Sequence, residues 1–162
     1  METSKFTLTN DLADEIMKVV QLDIDAVLAY TQAIDGIEAA HLDVRNQLEI
    51  FKSDHERHIV ELGDALLAGG HTPPEFKRDA KGFLIEGMTA IRSAIGTKQA
   101  LKAMRQNEVL TNKKYDEALG LQGVLDDLRE ILVRGREDER RHLDYIEQAI
   151  ERFEAYGEAA QP

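Results

Sequence analysis

Four apolar helical stripes in this sequence are each interrupted near the middle by side chains that can carry charge. Asp23 interrupts Ile16, Val20, Val27, Tyr30, Ile34 and Ile37, and His55 with His58 interrupts Val44, Leu48, Phe51, Leu62 and Ala65. Glu108 stands among Leu101, Met104, Thr111, Tyr115 and Ala118. Glu139 and His142 stand among Leu128, Leu132, Gly135, Ile146, Ala149 and Phe153. An ionised carboxylate buried without a partner costs several kcal/mol. Groups at matched depth on four helices therefore either neutralise one another or bind a cation. Residues three apart on a helix share a face, which pairs His55 with His58 and Glu139 with His142. Carboxylate together with imidazole suits iron, manganese or zinc rather than calcium.

The pattern occurs twice. Asp23 and Tyr30 are seven residues apart, as are Glu108 and Tyr115. Asp54-His55-Glu56-Arg57-His58 is matched by Asp138-Glu139-Arg140-Arg141-His142. Asp23 lies 85 residues before Glu108, and His58 lies 84 before His142. A nearly constant offset across two separate motifs is the mark of a duplicated helical hairpin.

The elements that must position these groups are long helices. Period-3.6 patterning dominates and alternating strand patterns are nearly absent. The first helix is expected from about 10 to 40, with Thr9 or Asn10 as its N-cap. The second runs from Asp43 to the Gly69-Gly70 stop, the third from Thr97 as N-cap to Gly120, and the fourth from about Gly123 to Tyr156. Short links near 39–43 and 120–123 make two antiparallel hairpins, about 10–69 and 97–156. Residues 70–96 form a long crossover, in which Leu84, Met88, Ile91 and Ile95 suggest a short amphipathic helix. The expected fold is all-α: an antiparallel four-helix bundle with one long crossover between helices 2 and 3, in a single domain spanning 1–162.

Composition removes several function classes. Lys and Arg total 20 against 31 Asp and Glu, a net charge of −11, which disfavours nucleic acid or an anionic membrane as partner. There is no cysteine, hence no disulfide, thiolate nucleophile, Cys-ligated zinc or iron–sulfur site. No apolar run approaches the roughly 20 residues of a membrane span, and Met1-Glu2-Thr3-Ser4-Lys5 lacks a signal peptide's features. A cytoplasmic protein is expected.

The singled-out residues also have plain structural readings. Asp23 faces solvent if helix 1 is rotated by one position, and His55 and His58 can be core imidazoles bonded to Asp or Tyr. Tyr30 and Tyr115 can be ordinary core aromatics. Glu56, Arg57, Arg140 and Arg141 read as a solvated helix face. His41 and His71 fall at helix ends or in the crossover and are assigned no function.

An acid followed seven residues later by Tyr on helices 1 and 3, with carboxylate-x-x-His on helix 4 and its His-x-x-His counterpart on helix 2, resembles the ferritin-like di-iron carboxylate proteins. The bacterioferritin-type and rubrerythrin-type bundles are the nearest in pattern, over roughly residues 10–155. The resemblance implies metal-ligand roles for Asp23, His55, His58, Glu108, Glu139 and His142. It makes Tyr30 and Tyr115 hydrogen-bond donors to ligand carboxylates, and makes Asp54 and Asp138 the carboxylates that orient the histidines. Two departures stand out: His55 occupies a position where the pattern has Glu, and Asp23 replaces a Glu. Three carboxylates and three imidazoles then replace four and two, which leaves open a single metal, an asymmetric pair or a different metal. Glu56 follows position 55 where a haem-binding Met would stand, so no haem is expected.

What the resemblance implies functionally is a di-iron, or di-manganese, site that oxidises ferrous iron or reduces O2 or H2O2, with zinc as a further candidate metal. A homodimer or larger homo-oligomer is implied too, with Leu12, Ile24 and Leu28 as an apolar contact face. The alternative is a non-catalytic stress or interaction protein whose metal site is structural or vestigial.

Overall fold

The computed structural model describes residues 7–76 and 94–157. Four helices occupy them: α1 (Asn10–Asp35), α2 (Leu42–Ala68), α3 (Thr97–Leu119) and α4 (Asp126–Tyr156), with no strand among the described residues. Every residue of the four stripes is buried, so the apolar periodicity faces one shared interior. None of these helices is long and apolar enough to cross a membrane.

Helix α1 begins as the sequence predicts, with the Thr9 hydroxyl accepting from the Leu12 N–H at 3.3 Å. It ends earlier than residue 40. Gly36 caps it, its N–H donating back to the Ala33 carbonyl and the next N–H, of Ile37, to the Ile34 carbonyl. Helix α3 stops at Gly120 as expected, but its N-cap is Gly96, at φ +86°, and Thr97 is its first helical residue. Thr97 instead serves the neighbouring turn, accepting from the Glu38 N–H at 3.1 Å and lying 2.8 Å from His41 Nδ1. Helix α4 starts at Asp126, three residues later than predicted. Gly123 takes φ +78° and Leu125 is extended, neither of which a helix accepts. Asp126 and Asp127 then place negative charge in the first turn, where the helix dipole favours it.

The contacts at the ends set the topology. Glu38, just beyond α1, meets Thr97 at the start of α3, and Glu15 near the start of α1 meets Lys114 near the end of α3, at 3.4 Å. The Leu8 N–H donates to the Gly69 carbonyl beyond α2. Helix α2 therefore ends at one end of the bundle and α3 begins at the other, so the connection between them spans its length. The short helix expected around Leu84, Met88 and Ile91 lies outside the described residues, while Ile95 is exposed.

The interior has three layers. One apolar cluster, with Tyr30, Phe51, Leu101, Met104 and Phe153, fills one end. Another, with Leu12, Ile16, Ile24, Leu62, Tyr115 and Leu132, fills the other. Leu12 and Ile24 thus belong to the chain's own core and cannot supply the expected contact face, and Leu28 is half-buried. Between the clusters lies a polar layer.

Candidate metal centre

Asp23, His55, Glu108, Glu139 and His142 are completely buried and His58 is nearly so. All six meet in the polar layer. Asp23 Oδ1 lies 2.8 Å from His55 Nδ1 and 3.4 Å from His58 Nδ1. Glu139 Oε1 is 3.4 Å from those same two nitrogens. On the other side, Glu108 lies 3.6 Å from both His55 Nε2 and His142 Nδ1. Asp23 does not face solvent, because α1 is not rotated away from the core.

The surrounding shell repeats the internal duplication. The Tyr30 hydroxyl donates to Glu108 Oε1 at 2.6 Å, and the Tyr115 hydroxyl donates to Asp23 Oδ2 at 2.8 Å. His58 Nε2 is 3.1 Å from Asp138, and His142 Nε2 is 3.1 Å from Asp54. Each histidine of this pair turns Nδ1 inward and rests Nε2 on a carboxylate, an arrangement that fixes ring orientation and raises ligand basicity. Phe51 packs against the His142 ring, with centroids 4.2 Å apart and planes tilted by 34°.

Arg57 and Arg141 lie on the solvated face the sequence predicts, with side chains 39% and 53% exposed, and each also bridges both outer aspartates. Arg57 Nη2 donates to Asp54 Oδ1 at 3.1 Å and also to Asp138. Arg141 donates to Asp138 and Asp54, each at 2.7 Å. The missed signal was the Asp-x-x-Arg spacing, present in both halves. Asn112 was missed as well; its amide donates to the Glu108 and Glu139 carbonyls at 2.9 and 2.8 Å and ties α3 to α4 at the level of the site. Gly135 gives Tyr115 its place, since a Cβ there would stand 2.4 Å from the tyrosine ring.

Electrostatics follow from this packing. Burial opposes charge on His55, but Glu139 and the hydrogen bond to Asp23 outweigh it and hold the imidazole pKa at about 10. For His58, burial is outweighed by Asp138 and Asp23, which raise it to about 12. Asp23 and Glu108 stay below the usual carboxylate range despite burial, because histidines bond to them. Burial, reinforced by the Glu108 charge, leaves Glu139 above it. Burial and the adjoining carboxylates push both tyrosines well up, keeping them protonated donors.

The residues present suit a transition-metal ion. Asp23, His55, His58 and Glu139 offer one set of donor atoms mutually within 4.8 Å; His55, Glu108, Glu139 and His142 offer a second. Five buried donor atoms of the second set lack a hydrogen-bond partner: His55 Nε2, Glu108 Oε2, both Glu139 oxygens and His142 Nδ1. Leaving such atoms unpaired is costly, and a cation would satisfy them.

Over 99% of its length and 96% of the other chain, this protein superposes on a bacterioferritin-related protein from Bacteroides fragilis, described as a dodecameric thioferritin. The TM-score is 0.76 at 12% sequence identity. The fold is therefore that of the ferritin-like four-helix bundles, here built around a buried carboxylate–imidazole layer. The chain belongs to the family described as a domain of unknown function (DUF2383), which matches residues 11–121. That span holds Asp23, His55, His58 and Glu108 and stops before α4, which supplies Glu139 and His142. A comparison with curated protein sequences finds no match.

Proposed function

We propose that the protein binds iron in this buried layer and uses it to pass electrons from ferrous iron to O2 or H2O2. One observation carries the reading: the unpartnered donor atoms of His55, Glu108, Glu139 and His142 converge in a water-poor interior. The residues in reach of an ion are Asp23, His55, His58, Glu108, Glu139 and His142, and the same donor types accept manganese or zinc. Bound iron supplies the redox chemistry. The chain's own part is positioning. Tyr30 and Tyr115 hold the Glu108 and Asp23 carboxylates, Asp54 and Asp138 hold the outer nitrogens of His142 and His58, and Arg57 with Arg141 locks both aspartates. Reduction of one H2O2 takes two electrons from ferrous iron and two protons, and yields two waters.

The test is anaerobic titration with Fe(II), followed by addition of O2 or H2O2 while ferric absorbance is recorded. Saturable binding and oxidation faster than in protein-free buffer are expected. No binding would overturn the reading. The structural neighbour's dodecameric state favours self-association here too, and sedimentation showing only monomer at micromolar concentration would remove that part.

A second reading, a bundle whose polar layer is purely structural in a stress or interaction protein, is favoured by the Asp23 side. There the carboxylate and His58 satisfy each other without any ion.

A further inference from the structure

The internal duplication predicts two equivalent half-sites, yet the hydrogen bonding distinguishes them. In the half around Asp23, each carboxylate oxygen has a donor: Tyr115 on Oδ2, and His55 with His58 on Oδ1. His58 has a partner on each nitrogen, Asp23 at Nδ1 and Asp138 at Nε2. The half around Glu108 keeps its donors free, at Glu108 Oε2 and His142 Nδ1, together with His55 Nε2; both oxygens of Glu139, which adjoins the two halves, also lack a hydrogen bond. All four of these residues are fully buried.

We infer that the layer holds one divalent transition-metal ion, bound by His55 Nε2, Glu108, Glu139 and His142 Nδ1, while Asp23 and His58 form an ion-free buttress beside it. The inference rests on the metal-binding reading above and refines it. With Nε2 on the ion, the neutral His55 ring carries its proton on Nδ1 and donates it to Asp23, 2.8 Å away. His142 does the same in reverse, with Nδ1 on the ion and Nε2–H toward Asp54 at 3.1 Å. Both histidines then show the carboxylate–histidine–metal arrangement. Asp23 is thereby a positioning residue. Glu108 and Glu139 balance a divalent charge, while the two nitrogens of His58 are taken up by Asp23 and Asp138. Donors about 2.0–2.2 Å from one ion lie at most about 4.4 Å apart, so a set spread within 4.8 Å closes with small side-chain rotations.

Position 55 sets the ion count. The equivalent position in the second half is Glu139, and the two lone-pair pairs of a carboxylate can point to two neighbouring ions on one side. The two nitrogen lone pairs of an imidazole diverge and cannot join two ions so closely. His55 has also committed Nδ1 to Asp23.

The test uses the full chain, stripped with chelator and titrated with Co(II) alone, by visible absorbance and equilibrium dialysis, with circular dichroism to verify helicity. Wild-type protein is expected to saturate at about one ion per chain, with protons released as the imidazoles give up theirs. Glu108→Gln and His142→Ala are expected to abolish saturable binding. Asp23→Asn should keep about one ion but bind it about 10–100-fold more weakly, and His58→Gln should also keep about one. His55→Glu should raise the count to about two, because a carboxylate at this position can face two ions. Wild type saturating at two ions, a helical His58→Gln that binds none, or a helical His55→Glu that stays at one would overturn the one-ion inference and leave the iron reading standing. Wild type binding no ion under any condition would remove both.

Discussion

At the scale of the residue, the buried charges compensate one another through protons as long as no ion is present. His55, His58 and His142 face Asp23, Glu108, Glu139, Asp54 and Asp138, and all three imidazole pKa values are raised despite burial. A histidine whose pKa rises on folding contributes stability fully below its unfolded value, about 6.5, and loses it as pH climbs through the folded value. The window opens above about 6.5 and runs to about 10 for His55 and about 12 for His58. The metal-free protein should therefore melt at progressively lower temperature as pH is raised from about 7 to about 10. Thermal scans by circular dichroism would show it, and a flat profile across that range would contradict the pairing. The six buried groups were legible in the sequence because each interrupts an apolar stripe. Arg57 and Arg141 were harder to read, since both are partly exposed at the rim and an i,i+3 ion pair looks the same whether or not it also reaches another helix.

At the scale of the element, the helix ends were readable at several places where a glycine or a capping hydroxyl coincided with the end of an apolar stripe, though not at Thr97 or Gly123. Thr9 and Gly120 are such cases. The end of α1 was overrun because Ile37 keeps the apolar spacing although Gly36 has already closed the helix. The start of α4 was set too early because the extended backbone at Leu125 leaves no mark on residue type. Gly135 shows how one element sets another's side chain. Tyr115 packs against it, whereas in the first half Tyr30 meets Phe51 edge-on with ring centroids 6.4 Å apart. Alanine at an exposed helical glycine gains about 1 kcal/mol. At position 135 its Cβ would drive Tyr115 from a buried seat where it is bonded to Asp23. Gly135→Ala should instead destabilise the protein by about 1–3 kcal/mol, read from urea unfolding. A stabilised variant would show that Tyr115 is free to move.

At the scale of the whole molecule, two apolar clusters clamp a polar layer that four separate helices must build together. That dependence made the fold legible: interruptions at one depth, repeated at a fixed offset, are satisfied only if two hairpins face each other. What the sequence could not convey was the difference between the half-sites, because it arises from ring orientation and from which atoms are left without donors. The most direct test of metal binding in this layer is anomalous X-ray diffraction at the iron edge, from crystals of protein loaded anaerobically with Fe(II). One anomalous peak per chain is expected, enclosed by His55 Nε2, Glu108, Glu139 and His142 Nδ1. A peak confined to the protein surface, or no peak in fully loaded crystals, would contradict the account.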